Sequence, residues 1–133
     1  MRRPSRSTRN ARKVAARWAD AYNLCGEVEL AEELGGEYAL CAERCGAAGD
    51  ADGVALWEEA RDDARAAAAR CWERLRAVAR TLPGEWSATS VYIRWDADPR
   101  RYYTRASWFA REKAALRRAA RHARGAPSTA VVA

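Results

Sequence analysis

Residues 29–46, ELAEELGGEYALCAERCG, decide how many helices the chain forms. Leu30 and Leu34 lie one turn apart among strong helix formers, and Tyr38, Cys41 and Cys45 repeat the helical spacing beyond them. Between the two sets stand Gly35 and Gly36. Glycine is the poorest helix former after proline and the usual residue just past a helix end, so the pair predicts a stop. The reading is one helix over residues 8–34, with Val14, Trp18, Ala21, Cys25 and Val28 on one stripe, and a short second helix over 37–45.

Outward from there, the loop GAAGDADG spans 46–53, and Asp52 is placed to cap a long third helix over 53–82. Trp57, Ala60, Ala64, Ala67, Cys71, Leu75, Val78 and Leu82 form its inward stripe, and Pro83 with Gly84 ends it. WSATSVYIRW, residues 86–95, is rich in β-branched and aromatic side chains and predicts a strand or extended crossing segment. Asp98 and Pro99 then signal a last helix over 99–124, closed by Gly125. The expected fold is mainly α, a bundle of three to four helices with one extended or β segment near residues 86–95. Its expected organisation is a basic arm at 1–8, a single helical domain at 9–124 and a flexible tail at 125–133.

A chain of 133 residues has the length for one domain, and its six Trp and five Tyr can fill a core. The formal charge is +6, carried by 24 basic and 18 acidic residues. Only Lys13 and Lys113 are lysines, which with the abundant alanine points to GC-rich codons in a bacterial genome. The distribution says more than the total: residues 1–19 carry +7, residues 20–63 carry −11 and residues 64–133 carry +10. Such segregation concerns partners, whether another molecule or another part of the same fold. No run of about 18 uncharged apolar residues exists, so no membrane span is expected. The basic start lacks the apolar stretch of a signal peptide, and a cytoplasmic location follows as an expectation.

The same residues 29–46 resemble the helix-turn-helix family of DNA-binding regulators. Leu30 and Ala31 match the first helix, Leu34 its end, Gly35 the tight turn, and Cys41 and Cys45 the core positions of the recognition helix. The pattern departs at Gly36, where a branched apolar residue is usual, and at Glu32, Glu33, Glu37 and Glu43, which would meet phosphates with like charge. The resemblance implies a DNA-reading second helix over 37–45.

Other constellations each have a structural counterpart. Cys41 and Cys45, one turn apart, can join Cys25 and Cys71 in a tetrahedral thiolate site, while all four equally suit core packing. Asp50, Asp52, Gly53 and Glu59 fit four places of an EF-hand loop that lacks its first carboxylate, and fit a capped helix start as well. No enzyme is expected and no cofactor: His122 is the only histidine, Ser87, Ser90 and Ser107 sit in no nucleophile motif, and no phosphate-cradling glycine loop occurs. Trp18 and Trp108 can stack on bases, though a Trp on an amphipathic helix more often belongs to the core.

The basic ends carry the functional expectation. Arg9, Lys13 and Arg17 share one helical stripe, and Lys113, Arg117, Arg121 and Arg124 another, beside an apolar face with Phe109 and Leu116. Stripes of this kind suit the phosphate backbone with little base specificity. The sequence therefore suggests a small non-enzymatic nucleic-acid-associated protein, with plasmid or phage replication, transfer or regulation as the setting that genomic habit favours. The competing expectation is a self-associating or acidic-partner module that pairs the acidic middle with the basic ends, and a third is the four-cysteine metal bundle.

Overall fold

A computed structural model describes residues 3, 5–99 and 101. Three helices follow in order: α1 Arg6–Ala47, α2 Ala51–Ala79 and α3 Ala88–Ala97. The chain is mainly helical, as expected, and no strand occurs among the described residues. At 1.5 Å per residue, α1 is about 63 Å long and α2 about 44 Å. They form an antiparallel hairpin, and α3 packs across its open end.

The expected stop at Gly35 and Gly36 does not occur, because α1 passes through both. Two interior glycines cost a helix about 2 kcal/mol relative to alanine. Gly35 is buried against α2, where an added Cβ would lie 3.6 Å from Arg65 Cγ and 3.9 Å from Ala64 Cβ, ordinary contact distances. The packing of α1 on α2 carries the helix through this point. Gly36 faces outward with no atom within 4 Å of an added Cβ. The predicted helices over 8–34 and 37–45 are one element, so the helix-turn-helix resemblance fails at its turn and no separate recognition helix exists.

The reversal comes at Ala48–Asp50 instead. Gly49 takes φ 73°, its amide donates to Gly46 O at 3.1 Å, and the Asp50 amide donates to Cys45 O at 2.9 Å. This is a Schellman closure of α1. The Asp50 carboxylate then accepts from the Gly53 amide at 2.9 Å and starts α2. Asp50, not Asp52, is the cap, and the residues that suggested a calcium loop are a helix start. A Cβ on Gly53 would lie 2.3 Å from Asp50 Oδ2 and 2.8 Å from Cys45 Sγ, which explains glycine there.

The extended segment expected at 86–95 is also helical. Ser87 Oγ accepts from the Ser90 amide at 3.0 Å while Ser90 Oγ accepts from the Ser87 amide at 2.9 Å, a reciprocal capping box. Ala88, Val91 and Trp95 are buried at helical spacing against α1 and α2. The local β propensity of Val91, Tyr92 and Ile93 yields to that packing. Asp98, read as the cap of a following helix, ends α3; the helix expected over 99–124 falls almost wholly outside the described residues.

The core lies at the open end, where Leu24, Cys25, Leu75, Leu82, Val91 and Trp95 meet, with Trp18, Tyr22, Trp72, Trp86 and Tyr92 packed around them. Toward the closed end the hairpin narrows to Val28, Ala42, Ala68 and Trp57, the last stacked on Tyr38 at 5.6 Å between ring centroids.

Because Gly36 is exposed inside a continuous helix, Gly36→Ala should stabilise the protein by about 0.5–1 kcal/mol. Denaturant titration measures this; a loss of stability would mean that the chain turns at that position. Ser87→Ala removes the α3 cap and should cost about 1 kcal/mol in the same assay.

Candidate nucleic-acid interface

Contacts between α1 and α2 set how far α1 extends. Gly46 lies beside Val54, Gly35 beside Ala64, and Glu27 accepts a weak hydrogen bond from Cys71 Sγ at 3.6 Å. Arg17 Nη1 donates to Thr81 O at 3.2 Å, just past the end of α2. Residues 6–16 therefore reach beyond the hairpin by about 16 Å.

This overhang carries Arg6, Arg9, Arg12 and Lys13 and no acid. All four are exposed, and none joins an ion pair among the described residues. Ser5 caps the helix, its Oγ accepting from the Thr8 amide at 3.2 Å. Basic side chains near a helix N-terminus oppose the macrodipole, so this placement does not serve the stability of α1. It leaves a cationic rod end that would be relieved by an anion.

Of the seven residues expected to bind phosphate, Arg9 and Lys13 stand together on this overhang. Arg17 is at its root, exposed, with one guanidinium nitrogen on the carbonyl of Thr81 at the end of α2. Lys113, Arg117, Arg121 and Arg124 lie outside the described residues, as do Trp108 and His122. Trp18 is part of the aromatic cluster: it meets Trp86 edge-on at 4.8 Å and Tyr22 at 6.1 Å, and the Arg94 guanidinium lies 4.0 Å from its ring centroid. Its packing, not base stacking, accounts for it.

Arg94 is the residue that the sequence reading missed at this end, because a strand at 86–95 gave it no place beside α1. Together with Arg101 it borders a cleft of ≈ 530 Å³ between α1 and α3, whose floor includes Trp18, Tyr22 and Trp95. The signal that could have found it is the Ser87–Ser90 capping box followed by Ala88, Val91 and Trp95 at helical spacing.

Most of the acidic residues lie toward the other end. Residues 29–63 hold eleven acids against Arg44 and Arg61, and they build the closed half of the hairpin. Bases of α2 meet the acids of mid-α1, as Arg74 does Glu27 at 4.0 Å, an exposed contact worth little by itself. The overhang gains nothing from this, since α1 is one helix and Lys13 and Glu32 are about 28 Å apart along it. That is several times the Debye length of about 8 Å at physiological salt.

The four cysteines do not converge. Cys25 and Cys41 are about 24 Å apart along α1, too far for a single ion with Zn–S bonds of about 2.3 Å. No group of three or more His, Cys, Asp or Glu side chains among the described residues is placed to hold a metal. Burial pushes the Cys25 thiol up to about 12. Cys41, Cys45 and Cys71 are also raised, first by burial and then by neighbouring groups: Cys45 and Glu37 at Cys41, Asp50 at Cys45 and Glu27 at Cys71.

No helix among the described residues is long and apolar enough to cross a membrane. Comparison with family models, curated proteins and solved structures finds no match to this chain.

Tyr92 is pushed up to about 12 by burial and by the nearby carboxylates of Glu29, Glu32 and Asp96. Both Cys25 and Tyr92 hold their protons more tightly folded than unfolded. Their contribution is complete below the unfolded values of 9.0 and 10.0 and is lost as pH rises toward about 12. Stability should accordingly fall across this alkaline window, and Tyr92→Phe should make the fall shallower in denaturant midpoints measured from pH 8 to 11.

Proposed function

We propose that the protein is a small non-enzymatic nucleic-acid-associated factor of the cytoplasm that grips the phosphate backbone with the start of α1. Arg9 and Lys13 are the central contacts, Arg6 and Arg12 flank them, and Arg17 anchors the root. Lys113, Arg117, Arg121 and Arg124, outside the described residues, are further phosphate contacts in this reading. The observation that carries it is the overhang itself: four bases within three turns, no acid, no ion pair among the described residues, and a placement that works against the helix's own dipole.

Arginine suits the task because its planar fork binds phosphate oxygens in pairs. The stripe from Arg6 to Lys13 is about 10 Å long, enough to follow about three phosphates of one strand. Such contacts fix the protein on the backbone without reading bases.

Binding of the full chain to a fluorescent duplex at rising salt tests the reading. Affinity should fall steeply with salt, and Arg9→Ala with Lys13→Ala should reduce the slope of log K against log salt by about 2. Absence of binding at about 50 mM salt would overturn it.

A further inference from the structure

The cleft between α1 and α3 has a volume of ≈ 530 Å³, within the range of about 300–1,000 Å³ typical of small-molecule sites. Tyr22 and Trp95 belong to its floor, and the exposed Ala15 and Ala19 make its α1 wall one of methyl groups. Arg94 lines it too and is exposed yet fixed: its guanidinium lies 4.0 Å from the ring centroid of Trp18 and 5.4 Å from that of Trp86. Two indoles thus hold one cation, and no carboxylate pairs with it among the described residues. Arg101 is engaged instead, with Nη1 donating to Asp98 O at 3.5 Å and Nε 3.7 Å from Asp96. Asp98 also lines the cleft, so a phosphate placed inside would meet like charge, whereas an uncharged ring would not.

Arg12 stands three residues before Ala15 and seven before Ala19, so helical spacing puts it on the face of α1 that forms the cleft wall. It is about 140° around the helix from Arg17, which marks the seam turned to α2. A strand held by a phosphate on Arg12 therefore presents its next base to the cleft and not to α2. A guanidinium kept flat on an indole offers such a base a stacking plane as well as a charge. We propose that the cleft receives one unpaired base of the bound strand, stacked on Arg94, with Arg12 holding the adjoining phosphate. A base inside a duplex is already stacked and paired, so the site selects single strands and unpaired ends. Stacking accepts every base, because each has a π-face, and the site chooses strandedness without reading sequence. This deepens the phosphate reading and rests on it for the grip on the strand.

Fluorescence anisotropy of the full chain tests this with two labelled strands, an oligodeoxythymidine of about 10 nucleotides and the same backbone without bases. The strand with bases should bind at least about fivefold more tightly, and it alone should change the tryptophan emission. Ala19→Phe, at an exposed position, fills the cleft from its wall. It should bring the thymidine strand down to the affinity of the abasic one, with blunt-duplex binding and helical content by circular dichroism unchanged. Arg94→Lys keeps the charge and removes the plane, and should narrow the difference between the two strands. Equal affinity for both strands, or an advantage for bases that survives both substitutions, would overturn the base site and leave the phosphate reading standing. Binding of neither strand nor duplex at about 50 mM salt would overturn both.

Discussion

The amide of Asp50 closes α1 by donating to Cys45 O, and its carboxylate opens α2 by accepting from the Gly53 amide. One residue therefore belongs to two helix ends, and no slack remains between them. The register of α2 on α1 is set there and carried along the hairpin through Gly35 and Arg17. With that register fixed, the unequal lengths of the helices decide the rest. The longer one must project, and the part that projects is the part rich in arginine. A looser connection of several more residues would leave α2 free to slide along α1, and neither the overhang nor the position of α3 over Trp18 would be defined.

The fold class was legible because spacing on α1 and α2 is helical throughout. Two features were misread for one reason: a local preference was weighed without its tertiary partner. At Gly35 the partner is α2, against which this turn of α1 is buried. At Val91 it is the core, which buries an i, i+3, i+7 stripe despite β-branched neighbours. The capping box at Ser87 and Ser90 was present in the sequence and outweighs those neighbours, since it satisfies two helix-start groups at once. The glycine at the true reversal was legible as part of a loop, but glycine alone does not say which of several glycines takes the left-handed conformation.

For the candidate site, the segregation of charge was legible and its consequence was not. Counting charges along the chain cannot distinguish a basic start that folds back onto the acidic middle from one that points away. The distinction rests on α1 being unbroken, which prevents Arg9 and Lys13 from reaching Glu32 or Glu37 in the same chain. The cysteines show the same point in reverse. A spacing of four made Cys41 and Cys45 neighbours, but helix length keeps them from Cys25.

The aromatic residues divide unevenly between the two ends. Trp18, Trp72, Trp86 and Trp95 gather where the three helices meet, whereas Trp57 stacks on Tyr38 near the reversal, about 30 Å away along α1. The described residues thereby contain two native optical reporters with little overlap. Loosening of the closed end would change the emission of one indole and leave the larger group dark to the event, while loss of the Arg94–Trp18 contact would do the opposite. Which end opens first is thus written into the colour of its intrinsic fluorescence, and reading it requires no label.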